Sequence, residues 1–440
     1  MPMTPSAADP RRSDQPKELG LFELIAIGVG GMIGGGIFSI LGLAVDVSGN
    51  AAPLGFLLGS VIAAIAGYSY VRLALTFRSD GASFTYLEKA FPDRLAIAGI
   101  AGWTVLVGYI GTLALYAFTF GAYASHLFGV ESFALSRPLL SSGSLVLFLL
   151  INLTGAKAMG RAEDVAVSIK ILLLAILAVV GLSTVSVERM TPLVNHGASS
   201  ILLCGALVFV AFEGFQLITN AVCETRDPER NVPRGVFGSI AVTSLVYVTI
   251  AWVAVGNLDA AAIHEAQEYA LAAVAQPILG RAGVVLVDIA ALLATASAMN
   301  ATIFGASHLA YEISKDQLAP RAFSHRNGKA VPASAAIVIT LLSVLLTNLG
   351  TLEIIASFSS LTFLLVSIAV SVANLRLREQ TRAAPAPVYL GMVLMLATTV
   401  LLVAYLFEHN VGALLFAGSA YGAVALSFVV FRRLVRARGG

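Results

Sequence analysis

Long apolar segments follow one another along almost the whole chain, and they constrain its fold more than any other feature. A segment of about 20 apolar residues crosses the hydrocarbon core of a bilayer as an α-helix, and such segments recur from Leu21 to Phe431. Charged residues make up only 12% of the sequence, against about 25% in soluble domains. A helix satisfies its own backbone hydrogen bonds in lipid. The sequence therefore predicts an all-α polytopic membrane protein.

Twelve membrane-spanning segments are predicted. They cover residues 20–46, 53–77, 95–128, 139–155, 163–185, 199–223, 234–257, 281–313, 332–348, 352–376, 386–407 and 411–431. With both termini cytoplasmic, all of the 27 Lys and Arg except Arg137, Arg189, Arg281 and Lys170 fall on the inner side, as the positive-inside rule requires. If one span were miscounted, every later loop would be assigned to the opposite side of the membrane, and the basic residues would no longer collect on the inner side. Twelve spans are therefore favoured over eleven, the alternative if one of the last two is misread.

The spans form one membrane domain, residues 19–431, between two short tails. Residues 1–18 are polar and lack the apolar core of a signal peptide, so we expect a disordered cytoplasmic tail. Residues 432–440 form a basic cytoplasmic tail suited to anionic lipid headgroups, and nucleic-acid binding is improbable for so short a membrane-bound cluster. The expected location is the plasma (inner) membrane, with membrane lipid as a partner.

Glycine is concentrated in the first span, where six of the nine residues from Gly28 to Gly36 are glycine. The pairs Gly30/Gly34 and Gly31/Gly35 fit the small-xxx-small pattern of close helix packing. Each glycine also costs helix stability, and backbone that unwinds at this depth is tolerated only where it lines a cavity. The cluster thus indicates close packing or, as we favour, a helix broken inside the membrane.

The sixth span has a similar feature at Glu213 and Gly214. The glutamate either pairs within the bundle for structure or takes part in gating, and the two roles are compatible. Spans one and six each begin a group of five spans, residues 20–185 and 199–376, and two further helices follow over 386–431. Because five is odd, the second group is expected to be inserted upside down relative to the first.

Inverted repeats that each begin with a discontinuous helix are typical of secondary transporters with a site near the bilayer midplane. The helix start at Gly34–Gly36 would present N–H groups to an anion. Carbonyls freed just before it, and others near Phe209–Ala211, would accept from an ammonium group. This pair of features suits a zwitterion such as an α-amino acid.

Lys170 lies in an otherwise almost wholly apolar stretch, Val165–Gly181. A lysine at mid-bilayer costs about 2.5–3.5 kcal/mol, and lysines in low-dielectric surroundings exchange their proton readily. Lys170 follows Arg161 by nine residues, roughly 13 Å along a helix, so snorkelling to the interface, the alternative, is difficult. We therefore expect Lys170 to bind and release a proton as part of a proton-linked function in the membrane.

Three segments carry a resemblance to a known family. They are IGVGGMIGGGIF (27–38), VAFEGFQLITNAVCETRDPERNVPRG (210–235) and SAMNATIFGASHLAYEISKDQLAP (297–320). In order and spacing they resemble the amino acid–polyamine–organocation (APC) transporters, and the chain is most similar to the proton-coupled, sodium-independent prokaryotic amino acid transporters. The resemblance implies a LeuT-like 5+5 inverted-repeat fold.

The resemblance also implies residue roles. Lys170 falls where sodium sits in sodium-coupled relatives, in contact with first-span backbone near Gly30–Met32 and with a hydroxyl of the eighth span, Thr295 or Ser297. The implied substrate contacts are Met32, Ile33, Gly34, Gly35, Gly36, Phe209, Val210, Ala211 and Phe212. These positions carry small or apolar side chains, whereas members that handle arginine or polyamines generally add acidic or aromatic ligands. Neutral substrates are therefore favoured.

Other kinds of site find little support. None of the six histidines has the spacing of a metal site, and no serine lies in a nucleophile elbow, so we expect no metal, no cofactor and no enzyme activity. Asp288 is a second acid within the membrane, either a gate residue or a partner for Arg281, and the structural role is favoured.

The leading hypothesis is a secondary active transporter that takes up neutral amino acids, over a broad range, with protons by alternating access. The runner-up is an amino acid or amine exchanger that needs no ion, in which Lys170 is a permanent structural cation. A channel or a transport-like receptor is less favoured. The sequence leaves the exact amino acid and the oligomeric state open.

Overall fold

The structure is a computed structural model that describes residues 19–79, 82–93, 95–154, 160–329 and 331–438. The predicted N-terminal tail, residues 1–18, lies outside the described residues. The last helix continues through most of the predicted C-terminal tail and ends at Arg438. Apart from one isolated bridge between Leu19 and Thr225, the regular structure of the described residues is helical.

The α-helices are numbered in chain order. They are α1 (Leu21–Met32), α2 (Gly36–Ser48), α3 (Ala52–Phe77), α4 (Ala82–Ala90), α5 (Leu95–Phe128), α6 (Ser136–Leu153), α7 (Gly160–Ser183), α8 (Ala198–Leu207), α9 (Gln216–Asn220), α10 (Pro228–Asn257), α11 (Ala260–Glu265), α12 (Ala270–Lys315), α13 (Ala333–Leu349), α14 (Leu352–Arg376), α15 (Arg378–Thr381), α16 (Pro385–His409) and α17 (Val411–Arg438). Short 3-10 helices cover Gly49–Ala51, Val208–Phe215, Val222–Glu224, Gln267–Tyr269 and Arg321–Ser324.

Within the described residues, nine helical segments are long and apolar enough to cross a membrane. Three shorter apolar helices, Leu21–Met32, Val167–Ser183 and Ala333–Leu349, add to them. All twelve predicted spans coincide with helical structure, so the all-helical polytopic fold is confirmed. The number of crossings and the inverted repeat stay predictions.

Both predicted interruptions are present. Helix α1 ends at Met32, a turn covers residues 33–35, and α2 begins at Gly36. The sixth span is α-helical to Leu207, then winds as a 3-10 helix over Val208–Phe215 before α9. We call these two segments, residues 32–36 and 208–215, the first and second interruptions.

The two interrupted spans touch backbone to backbone. A Cβ added at Gly31 would lie 3.1 Å from Gly214 Cα, and one added at Gly214 would overlap Met32 N and Gly31 C. Only glycine at both positions allows this approach. The start of α1 is also tied to the segment after α9, because Arg226 N donates to Leu19 O at 2.8 Å. The glycines therefore hold the two interruptions side by side.

In the outer segment between α10 and α12, the helical spacing of apolar residues over about 259–276 predicts one surface helix, but the structure divides this segment. The separate helix α11 ends at Glu265, a 3-10 turn follows, and residues from Ala270 onward already belong to α12. Helix α12 bends at Gly280, whose φ of 62° is in the left-handed region, which glycine adopts without steric cost. The span predicted to begin at residue 281 is thus the part of α12 after this bend.

The backbone contact between Gly31 and Gly214 can be tested by adding one methyl group. We expect Gly214→Ala to lower the free energy of unfolding by about 1–3 kcal/mol, because backbone must move to relieve the overlap. The matched control is Gly305→Ala in α12, where a Cβ would meet no described atom within 4 Å. Thermal unfolding of the purified variants in detergent measures both. Equal stability of the two variants would contradict the close contact between Gly31 and Gly214.

Candidate functional site

Tyr247 of α10 joins the two interruptions. Its hydroxyl lies 2.5 Å from the carbonyl oxygen of Met32 and 3.2 Å from that of Ala211. A tyrosine hydroxyl has one hydrogen to donate, so the two carbonyls share it. The Tyr247 ring is fully buried and packs edge-on against Phe212 and Phe56, with ring centroids 5.2 and 5.6 Å away. One rigid side chain therefore fixes the distance between the two interruptions.

Ser360 of α14 satisfies backbone groups of the second interruption. Its hydroxyl donates to the carbonyl of Leu207 at 2.6 Å and accepts from the N–H of Val210 at 3.1 Å. Backbone groups in an apolar interior must find partners when a helix changes its pitch. Ser360 supplies both partners with one buried hydroxyl, and this stabilises the 3-10 winding at this point.

The nine predicted substrate contacts lie in the two interruptions, and all are buried. The structure brings the two groups together, since a Cβ at Gly36 would lie 2.7 Å from Ala211 Cβ. A Cβ at Gly34 would lie 2.5 Å from Ala298 Cβ of α12, and one at Gly35 would overlap the Tyr116 ring of α5. Small residues of the first interruption thus face the second interruption, α5 and α12. Their role in substrate binding stays a prediction.

Lys170 of α7 is fully buried, and its Nζ donates to the carbonyl of Gly30 at 2.9 Å. A Cβ at Gly30 would lie 3.0 Å from Val167 Cγ2, so the glycine lets α7 come close enough for this bond. Hydrogen bonds from a charged donor are roughly twice as strong as neutral ones. Lys170 therefore fastens α7 to the end of α1, two residues before the first interruption.

The two predicted hydroxyl partners of Lys170 lie on α12. Thr295 is fully buried, and its hydroxyl donates to the carbonyl of Ala291 at 2.7 Å, within its own helix. Ser297 is partly exposed. A bond from Lys170 to either of them, and a part for the three residues in proton coupling, stay predictions.

Glu213 lies in the second interruption and is 8% exposed. Gln216 Nε2 donates to its Oε2 at 2.5 Å, while Oε1 has no hydrogen-bond partner among the described residues. Buried polar atoms are rarely left unpaired, so Oε1 is a place where a proton or a ligand donor would be stabilised. The predicted gating role remains a prediction.

Asp288 has a partner that the sequence did not indicate. Its carboxylate oxygens lie 3.0 and 3.1 Å from His126 Nδ1 of α5, whereas Arg281 was the partner considered from the sequence. His126 in turn stacks on Tyr269, with ring centroids 4.4 Å apart. The pair joins α5 to α12 next to the 3-10 turn Gln267–Tyr269. Because 162 residues separate the two partners, no local pattern could have paired them.

Sequence reasoning also missed Tyr247 and Ser360. Each is an ordinary residue of an apolar span, and its importance comes from backbone atoms that lie far away in the chain. Among the described residues, no group of three or more His, Cys, Asp or Glu side chains is arranged to hold a metal ion.

A buried meeting point of two interrupted helices, inside an all-helical membrane bundle, defines the class as a membrane transport protein rather than an enzyme. The sequence profile described as "Amino acid permease" matches residues 19–431. The chain therefore belongs to the amino acid permease family of the APC superfamily, and it is a multi-pass amino acid transporter.

Several curated proteins are similar over most of their length. The inner membrane transport protein YbaT of Escherichia coli is 30% identical over 94% of this chain and 95% of its own. The methylthioribose transporter of Bacillus subtilis is 26% identical, over 84% of each chain. The branched-chain amino acid permease BcaP of the same species is 25% identical, also over 84% of each chain.

The bridging hydroxyl of Tyr247 can be removed without loss of its ring. We expect Tyr247→Phe to lower the free energy of unfolding by about 0.5–1.5 kcal/mol, the usual net worth of a hydrogen bond, and to raise the KM for transport because the interruptions are no longer held together. The matched control is Tyr389→Phe in α16, where the side chain is 56% exposed. Unfolding in detergent and uptake into proteoliposomes measure the two effects. Identical behaviour of the variants would contradict the bridging role.

Proposed function

We propose that this amino acid transporter takes up neutral amino acids together with protons, by alternating access around the two interruptions. The observation that carries the proposal is the fully buried Lys170, whose ammonium group donates to the carbonyl of Gly30 beside the first interruption. A cation that can lose its charge at this place links protonation to the position of α1. The family supports amino acids as substrates.

The backbone of the interruptions suits the head group of an amino acid. In the proposed complex, N–H groups at the start of α2, Gly34–Gly36, donate to the substrate carboxylate at the positive end of the helix dipole. Carbonyl groups near Phe209–Ala211 accept from its ammonium group. Ser360 already occupies the N–H of Val210, and Tyr247 donates to the carbonyl of Ala211. A carbonyl oxygen has two lone pairs, so in the proposed complex the substrate uses the second lone pair of Ala211 or the carbonyls beside it.

Neutral side chains are favoured by the surroundings of the interruptions. The groups that approach Gly34, Gly35 and Gly36 are the methyl groups of Ala211 and Ala298, the Tyr116 ring, the hydroxyls of Tyr247 and Ser39 and the carbonyl of Gly31. None of these groups carries a full charge, so a substrate side chain beside them is best stabilised when it is neutral. One relative is named for branched-chain amino acids, which are neutral, and another for methylthioribose. These two names agree with a neutral range, whereas another relative, 25% identical over 91% of this chain, is named as a cationic amino acid transporter of Arabidopsis thaliana. The proposed neutral range therefore rests on the residues around the interruptions and not on the relatives' names.

Proton coupling would follow from the bond between Lys170 and Gly30. The protonated lysine makes a charge-assisted bond that holds α7 against α1. After the proton leaves, a neutral amine makes a weaker bond, and α1 is freer to move relative to α7. Release of the proton and release of the substrate would then favour the same movement. This is the two-state arrangement that coupling requires.

A second candidate is exchange without an ion. It is favoured by the bond from Lys170 Nζ to the carbonyl of Gly30, since a lysine that keeps its proton would hold α7 and α1 together permanently. In that case Lys170 has a structural role only, and transport depends on amino acids on both sides of the membrane.

Uptake into proteoliposomes distinguishes the two candidates. We expect uptake of labelled leucine against its gradient when the outside is acidic, loss of that accumulation when a protonophore is added, and no change when sodium is replaced by choline. Unlabelled amino acids in a competition panel define the range. Strict sodium dependence, or uptake only with amino acid inside the vesicles, would contradict proton coupling.

Lys170→Gln tests the lysine itself, because glutamine still donates a hydrogen bond but does not titrate. We expect accumulation driven by the proton gradient to fall by about tenfold or more, a change of about 1.4 kcal/mol or more, while counterflow with leucine inside persists. The matched control is Lys315→Gln at the end of α12, where the side chain is 49% exposed, and we expect normal accumulation. Wild-type accumulation by Lys170→Gln would mean that Lys170 is only a brace.

A further inference from the structure

A cavity of about 210 Å³ lies beside the start of the second interruption, and none of the residues 32–36 or 208–215 is among its lining residues. Its walls come from α2, α8, α14, α16 and the segment from α11 to the 3-10 turn Gln267–Tyr269. One wall ends at Leu207, immediately before the second interruption. The cavity therefore lies next to the substrate region, toward the end of the bundle that the sequence predicts to face outward.

The cavity lining carries two carboxylates. They belong to Asp46 of α2 and Glu353 of α14, and His264, Gln267 and Tyr405 also line the cavity. Within the described part of the chain, the lining includes no lysine or arginine. His264 is the one described lining side chain that could become a cation, and it contacts Asp46 only through Oδ1. Two carboxylates with at most one histidine beside them attract a positively charged ligand.

Both carboxylates are held in fixed positions. Asp46 Oδ1 lies 2.8 Å from His264 Nδ1, and Asp46 Oδ2 accepts from Gln267 Nε2. Glu353 Oε2 accepts from Asn410 Nδ2 at 2.8 Å. A carboxylate has about four lone-pair sites, so each retains sites for a further donor. These contacts orient the two carboxylates before any ligand binds.

Ser357 of α14 gives an independent indication of a ligand. It lines the same cavity, is only 1% exposed, and its hydroxyl has no hydrogen-bond partner among the described residues. Buried hydroxyl groups are almost always bonded, and an unsatisfied one costs about 1–3 kcal/mol. A polar group of a ligand in the cavity would remove this cost.

The cavity lining also includes aliphatic side chains, four leucines and Val47. The volume is smaller than the roughly 300–1,000 Å³ of sites for drug-sized ligands, and larger than the roughly 30 Å³ that one water molecule occupies. The two carboxylates suit an ammonium group, and the aliphatic side chains suit a short hydrocarbon chain. An α-amino acid fits less well, because its carboxylate would lie beside Asp46 and Glu353.

We propose that this cavity, which we call the acidic cavity, binds short primary amines as their ammonium ions, at a site separate from the interruptions. The ammonium group donates to Asp46, Glu353 and Ser357, and the hydrocarbon chain packs on the leucines. Helices α2 and α8, which form two of the walls, continue into the two interruptions. An amine bound here lies between residues of both helices. The proposal does not depend on proton coupling or on the transported amino acid.

Binding to the purified full-length protein in detergent tests the proposal without any transport assay. The probe is n-butylammonium chloride, titrated by calorimetry and by thermal unfolding at constant ionic strength. We expect saturable binding and a raised Tm, with no such effect from potassium chloride. An equal effect of potassium chloride would show a site for inorganic cations and overturn the proposal. No saturable binding would overturn it as well.

Variants locate the site. We expect Glu353→Gln to weaken butylammonium binding by about tenfold or more, since the amide has no negative charge to attract the ammonium group, and Ser357→Ala to weaken it by about threefold or more. The matched control is Glu408→Gln, an exposed glutamate near the end of α16 outside the cavity lining, with unchanged affinity. Unchanged binding in Ser357→Ala and in folded Glu353→Gln would overturn the proposal.

Competition between leucine and butylammonium tests whether the amine binds in the acidic cavity or in the interruptions. Excess leucine should leave the affinity for butylammonium within about twofold, because the two ligands occupy different places. Mutual exclusion of leucine and butylammonium would place the amine in the interruptions and overturn the assignment to the acidic cavity. Failure of proton-driven uptake would leave this result unaffected.

Discussion

The structure depends on one constraint: backbone groups that leave a helix inside an apolar interior need hydrogen-bond partners. The first and second interruptions both break the helical pattern, and their backbone is buried. Tyr247 binds a carbonyl from each interruption, Ser360 binds a carbonyl and an N–H of the second, and Lys170 binds the carbonyl of Gly30. Three helices, α10, α14 and α7, thus supply hydrogen-bond partners for the backbone of the interrupted spans.

The same contacts link any movement of the interruptions to the breaking of specific hydrogen bonds. If α1 moves relative to α7 or α10, the bonds of Gly30 and Met32 to Lys170 and Tyr247 must lengthen or be replaced. In the proposed function, an amino acid bound at the interruptions offers both donors and acceptors and would replace these bonds. An unpaired buried group costs more than an average hydrogen bond contributes, which favours a few discrete arrangements over a continuous range. Alternating access requires such discrete states.

At the end of the bundle predicted to face outward, two histidine–aspartate contacts meet the same short turn. Asp46 of α2 is bound by His264 and Gln267, and Tyr269 stacks on His126, which is bound to Asp288 of α12. The 3-10 turn Gln267–Tyr269 is therefore braced on both sides. It closes one wall of the acidic cavity while it connects α2 with α5 and α12. Through this turn, helix α2, which follows the first interruption, is held to α5 and α12.

The sequence by itself determined the all-helical membrane fold, the places of both interruptions and the cost of burying Lys170, because hydropathy, glycine density and charge are local properties. It also gave family-specific segments that the permease profile confirms. It did not indicate that Tyr247 bridges the interruptions, that Asp288 binds His126, or that Ser357 faces a cavity with Asp46 and Glu353. Those relations join residues far apart in the chain, and each depends on distances of a few ångströms between packed helices. Only the tertiary structure decides such distances, since hydrogen bonds and cavities depend on three-dimensional placement and not on order along the chain.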